Sequence, residues 1–158
     1  MRKIINPYDK DLNMCFGCSQ KNPIGLKLQF IENDEFIIAE WLPSDIYQGY
    51  NNILHGGIIA TLLDEIGAWC VSVKAGTACV TSEMNTKYFA PVYINKGKIT
   101  LKASIAELTS KTASINCYLY DWKSKLCAEA VAVYFIFPPE IAARKFKYPG
   151  REAFYAKE

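Results

Sequence analysis

At 158 residues the chain has the length of one domain of roughly 100–200 residues, so a second catalytic domain is not expected. Its 51% hydrophobic and 22% charged residues suit a globular protein with a core of its own and exclude a disordered or collagen-like polymer. Lys and Arg number 18 against 16 Asp and Glu, and the resulting +2 is too little for a protein whose main work is wrapping polyanions or a membrane face.

In chain order, Met1 to Lys10 lack the apolar stretch of a signal peptide, and no uncharged apolar run reaches the ~18 residues of a spanning helix. The expected location is cytoplasmic. Residues 1–23, with Pro7 and Pro23, read as an irregular lead-in. Leu26, Leu28 and Phe30 then alternate with Lys27 and Gln29 at the period of a half-buried strand, and Asn33-Asp34 separates them from a second apolar stretch, Phe36 to Trp41, predicting a hairpin. Pro43 to Asn52 reads as a loop. Ile53 to Val73 is apolar except for Asp64 and Glu65, too long for one strand, and predicts a helix. Cys79 to Tyr93 is rich in β-branched and aromatic residues; Lys98 to Ile105 and Ala113 to Tyr120 alternate strictly; a turn at Trp122 to Lys125 leads to a last strand, Leu126 to Phe137. Beyond Pro138-Pro139 a short helix and a loose end are expected, residues 139–158 forming a C-terminal extension. The order β-β-α-β-β-β-β predicts a single α+β domain in which an antiparallel sheet of about six strands wraps around one long central helix.

His55 is the single histidine, which closes mechanisms needing two imidazoles and excludes His-rich metal sites. The six cysteines read as reduced thiols, with Cys70, Cys79, Cys117 and Cys127 inside apolar segments. Cys15 and Cys18 have the spacing of half a zinc site, but no second Cys or His pair accompanies them, so neither a metal nor a cofactor is expected. Tyr118, Tyr120 and Tyr134 fall at strand spacing and read as sheet surface or interface, not as a base-stacking platform; no nucleic acid and no membrane partner is expected.

The start of the long helix carries the chemistry. Asn51-Asn52 reads as its cap, placing His55-Gly56-Gly57 in the first turn, where backbone N–H groups lack helical partners and the macrodipole favours negative charge. Asp64 follows His55 by nine residues, which at ~100° per residue puts the two on opposite sides of the helix. Glu65 points elsewhere and reads as a surface charge. Around Asp64 the face is small, with Gly57, Ala60, Thr61, Gly67 and Ala68, while Ile59, Leu62, Leu63, Ile66, Cys70 and Val73 form a large stripe suited to the sheet. The small face is expected to meet another subunit, so that Asp64 of one chain faces His55 of its partner.

The segment Leu54-His55-Gly56-Gly57-Ile58-Ile59-Ala60-Thr61-Leu62-Leu63-Asp64-Glu65, with Gln48-Gly49-Tyr50 before it and Thr81 to Pro91 after it, resembles the PaaI-like acyl-CoA thioesterases of the hotdog fold. The Cys15-Phe16-Gly17-Cys18 to Leu26 segment is similar to a lead-in found in some of them. The resemblance implies hydrolysis of an acyl-CoA to free acid and CoA by a homodimer or dimer of dimers. By the same resemblance the Gly56 N–H polarises the thioester carbonyl, His55 supports that oxyanion site, and Asp64 of the other subunit is general base or nucleophile. Thr81 assists Asp64 or water, Gln48 matches a helpful amide, and Gly57, Asn52 and Ser82 contact substrate. Where another group of members carries Ser or Thr one helical turn beyond the carboxylate, this chain has Ala68. A non-catalytic acyl-CoA-binding or sensing protein is the alternative, and a hydratase or dehydratase on the same fold a third.

Overall fold

The alternating segments assemble into one seven-stranded antiparallel sheet in the computed structural model of the chain, which describes residues 1–10 and 13–156. Its strands are β1 (Arg2–Lys3), β2 (Ile31–Glu32), β3 (Ile37–Trp41), β4 (Cys79–Tyr88), β5 (Ile99–Leu108), β6 (Thr112–Tyr120) and β7 (Leu126–Ile136), in the spatial order β1-β2-β3-β5-β6-β7-β4. Side chains on successive residues of a strand face opposite ways, so one face of β5 and β6 buries Ile99, Leu101, Ala103, Ala113, Ile115, Cys117 and Leu119. Against this face lies α1 (Gly56–Cys70), which buries Ile59, Leu62, Leu63, Ile66 and Cys70 as its large stripe requires. Seven antiparallel strands around one long helix give the expected α+β hotdog architecture.

A π-helical turn, Val71–Ala75, extends α1 until Gly76, at φ 72°, ends it in the left-handed conformation. Together they make a 20-residue stretch apolar enough to cross a membrane by length and composition, and its apolar stripe is instead covered by the sheet.

The lead-in read as irregular contributes strand β1, which pairs with β2, and four boundaries also differ from the sequence reading. The helix begins at Gly56 and its N-cap is His55; Asn52 sits three residues earlier at φ 61°, in a tight turn closed by Ile53 N–H donating to Tyr50 O. Leu26, Leu28 and Phe30 are buried in alternation, but Lys27 at φ 56° interrupts the strand, and Leu26 and Leu28 N–H donate to Phe16 and Gly17 O of the lead-in; the ladder of the hairpin starts only at Ile31. β4 stops at Tyr88, beyond which Pro91 cannot sustain a ladder and Val92 O accepts from Leu54 N–H. The described part of the C-terminus is no loose end: after α2 (Pro139–Phe146), Phe154 is fully buried edge-on against Trp69, and its carbonyl accepts from Ile5 N–H. Lys157 and Glu158 lie outside the described residues.

Candidate functional site

Two clusters of polar groups sit on opposite sides of α1, one at its start and one near its middle. At its start, the His55 Nδ1 accepts from Gly57 N–H at 2.9 Å, while His55 O takes the N–H groups of Ile58 and Ile59. Among the described residues nothing accepts from the Gly56 N–H, which leaves one backbone donor free on an exposed turn. An imidazole that accepts at Nδ1 is neutral with its hydrogen on Nε2, so His55 presents a second donor nearby. The Gly56 carbonyl is held by Tyr88 OH at 2.9 Å. Gln48 Oε1 accepts from Asn52 N–H at 3.0 Å, and a bridge pairs Gln48 with Leu54, so the loop is fastened onto the helix start. Gln48, His55, Gly57, Ile58 and Thr61 line one side of a shallow cavity of about 440 Å³.

Farther along, Asp64 is half-buried. Thr81 Oγ1 donates to Asp64 Oδ1 at 2.9 Å, and Tyr134 OH donates to the same oxygen at 3.1 Å and to Asp64 O at 2.8 Å. Thr81 and Tyr134 are paired across β4 and β7, which is why two hydroxyls from neighbouring strands converge on one carboxylate oxygen. Directly after Thr81 a bulge places Ser82 as the extra residue of β4, exposed to solvent. Among the described residues no Lys or Arg lies within ion-pair distance of Asp64, so the carboxylate is held by neutral donors alone. Burial pushes the Tyr134 hydroxyl far above its ordinary range, and it remains a donor throughout the working pH range.

Tyr134 is the residue that sequence reading missed. It is fully buried, not sheet surface; Tyr118 and Tyr120, half-buried and paired at 6.4 Å, do behave as expected. The usable signal was its phase: Ala128, Ala130, Ala132 and Tyr134 share one face of β7, and three alanines leave the helix close enough for the tyrosine to reach it. Gly67 is small for the same reason, since a Cβ there would stand 2.3 Å from Tyr134 OH; this part of the small face is covered by the chain's own sheet, not by another subunit. Gly57 and Thr61 stay accessible, and Ala68 turns toward a different pocket.

Glu65 is likewise no surface charge. Its carboxylate accepts from Trp69 Nε1 at 3.1 Å and meets Cys15 Sγ at 3.5 Å, and burial above all pushes it up to about 7. The Cys18 thiol is pushed up, first by its partnership with Cys15 and then by burial, while Cys15 is drawn down chiefly by its hydrogen bond with Cys18. Within one chain, nine residues of helix put His55 and Asp64 about 13 Å apart along the axis and on opposite sides, so the two polar clusters do not form one site.

The family model of the thioesterase superfamily matches residues 51–128, spanning the helix start, Asp64, Thr81 and most of the sheet. No curated protein matches the sequence. A thioesterase from Haemophilus influenzae has the same fold at 20% identity and a TM-score of 0.67, over 76% of this chain and 85% of that one. The E. coli PaaI protein from the phenylacetic acid degradation operon aligns at 19% identity and 0.64, over 72% and 81%. A Streptococcus mutans protein bound to acetyl-CoA aligns at 18% identity and 0.65, over 75% and 94%.

Proposed function

We propose that this chain, which belongs to the thioesterase superfamily and has its hotdog fold, hydrolyses an acyl-CoA to the free acid and CoA. The observation that carries the reading is the free Gly56 N–H beside an imidazole fixed as an Nε2–H donor, at the positive end of α1. A thioester carbonyl oxygen seated there gains negative charge as the carbon becomes tetrahedral, and both donors strengthen their hold as it does. Asp64 supplies the other half, either attacking the carbonyl to form an anhydride or taking a proton from the attacking water. Thr81 and Tyr134 fix Oδ1, leaving Oδ2 for that work. The CoA thiol, with a pKa of about 8.5 by analogy with cysteine, leaves as thiolate and needs no strong acid.

The catalytic assembly is a homodimer in which His55 and Gly56 come from one protomer and Asp64 from the other. Two features support this: the separation of the clusters on α1, and the ten-residue strand β4, which closes one edge of the sheet with most of its side chains exposed and calls for a cover. Gln48, Asn52, Gly57 and Ser82 are assigned to the rim, where the backbone of Asn52 is already committed to Gln48 and Ile94. An acetyl-CoA complex of the same fold agrees with CoA as the carrier.

Thiol release from short-chain, long-chain and aromatic acyl-CoAs tests the reading. Turnover by the wild type, reduced about 10²–10⁴-fold in Asp64→Asn, is expected. A folded Asn variant with ordinary turnover removes Asp64 from the mechanism. Tight acyl-CoA binding by the wild type with no hydrolysis points instead to a binding or sensing protein.

A further inference from the structure

The Cys15-Phe16-Gly17-Cys18 turn lies against α1 just beyond Asp64, on a side of the helix that the proposed reaction does not use. The turn is rigidly held: Ser19 N–H donates to Cys15 O, Asn13 Oδ1 accepts from Cys15 N–H, and Phe16 and Gly17 O accept from Leu26 and Leu28 N–H. Inside its curve sits the Glu65 carboxylate, so close that a Cβ on Gly17 would stand 2.4 Å from the Glu65 carboxyl carbon. The Sγ atoms of Cys15 and Cys18 and a carboxylate oxygen of Glu65 all lie within 4.8 Å of one another. Cys15 Sγ is 3.5 Å from Oε1 and 3.7 Å from Oε2. A tetrahedral ion with bonds of ~2.3 Å to sulfur and ~2.1 Å to oxygen holds those two ligand atoms about 3.6 Å apart, which is the spacing already present.

We infer that Cys15, Cys18 and Glu65 bind one thiophilic divalent cation, Zn²⁺ by the match of its ligand preferences to two thiolates and a carboxylate. The Trp69 Nε1–H on Oε1 orients the carboxylate and leaves Oε2 to the ion, the usual part of an outer hydrogen bond at such sites. Water fills the fourth position from the adjoining pocket of about 220 Å³, lined also by Asn13, Ala68 and Cys79. On binding, both thiols release their protons to solvent and the ion joins them to the carboxylate; nothing is oxidised or reduced. The bond set would clamp the lead-in onto α1 next to Asp64. It goes beyond the thioesterase reading and does not depend on it.

The test uses the full-length protein, reduced, stripped with a chelator and titrated with Co²⁺ alone, then with Zn²⁺. Expected are one Co²⁺ per chain, a thiolate-to-cobalt charge-transfer band with strong tetrahedral d–d absorption, displacement by Zn²⁺ and a rise in Tm on Zn²⁺ binding. Cys15→Ser and Cys18→Ser each weaken the band, and Glu65→Gln keeps the thiolate band while lowering affinity by about tenfold or more. Should the cysteine variants fail to fold, the wild-type spectrum and Glu65→Gln decide. The inference is overturned if reduced wild type shows no charge-transfer band. It is equally overturned if the band persists unchanged in folded Cys15→Ser or Cys18→Ser, if Glu65→Gln binds Co²⁺ as tightly as the wild type, or if Cys15 and Cys18 stay joined as a disulfide under reductant.

Discussion

Tyr134 carries its hydroxyl from the sheet to Asp64, where it bonds both the carboxylate and the helix carbonyl. Tyr134→Phe removes one buried donor without changing shape, so the expected loss of stability is about 1 kcal/mol. If the hydroxyl positions the carboxylate, kcat falls about tenfold with KM nearly unchanged; equal kcat for Phe and Tyr assigns the group to packing alone. Glu32 is a second residue whose neighbours decide its behaviour. Burial by itself would raise its pKa, but hydrogen bonds from Tyr155 and Lys74 and the charges of Lys74 and Arg151 outweigh it and hold the carboxyl below its ordinary 4.5. A group depressed in the folded state stabilises above its unfolded pKa, and that contribution is lost as pH falls through the folded value. The difference in Tm between wild type and Glu32→Gln is therefore expected to be constant near neutral pH and to shrink below pH 4.5. A difference that does not narrow in acid removes the ionised carboxylate as its source. Such pairings were not legible in the sequence, because Glu32, Lys74, Arg151 and Tyr155 come from distant segments.

At the scale of the element, α1 is specified by its own sequence on one side and by the sheet on the other. Its large stripe and its length follow from periodicity, but Gly67 is explained only by Tyr134 and Cys117, whose Sγ would be 3.0 Å from a Cβ. In an isolated helix Ala in place of Gly gains about 1 kcal/mol. Here Gly67→Ala is expected to cost about 1–3 kcal/mol through the clash and to lower activity by displacing Tyr134 from Asp64. The pair Gly67→Ala with Tyr134→Phe should be more stable than Gly67→Ala alone, since the closest obstruction is the hydroxyl. Thermal denaturation of the three variants measures this, and strictly additive losses would show that the contact is not the cause.

At the scale of the whole molecule, the proposed shared site, with the Gly56 donor from one chain and the Asp64 carboxylate from another, has a direct test. Gly56 is the first residue of α1, its N–H has no partner among the described residues, and His55 before it has φ −63° and ψ 134°, a conformation compatible with a following proline. Gly56→Pro should accordingly fold and yet lose the oxyanion donor. Equal amounts of Gly56→Pro and Asp64→Asn chains, allowed to exchange, form random dimers of which about half are hybrid, each with one site spoiled twice and one intact. Activity near a quarter of wild type is expected from the mixture, where each parent alone is inactive. Verified hybrids as inactive as the parents would place both groups in one protomer.

Residue order alone determined the central helix, the strand segments that follow it, the buried stripe of α1 and the position of the His55-Gly56-Gly57 turn, because each rests on local periodicity or on N–H groups that no helix can satisfy. It also named Thr81 beside Asp64, through resemblance. Tertiary structure decided the rest. The cap passed from Asn52 to His55 because the preceding turn is tied to Gln48 and Ile94; Phe154 found a pocket that only the folded lead-in and Trp69 create; Glu65 met Cys15 and Cys18 across some 50 residues. Each of these depends on which side chains arrive together: a buried polar group needs its hydrogen-bond partners in place, and the apolar site that takes Phe154 is assembled from segments far apart in the chain.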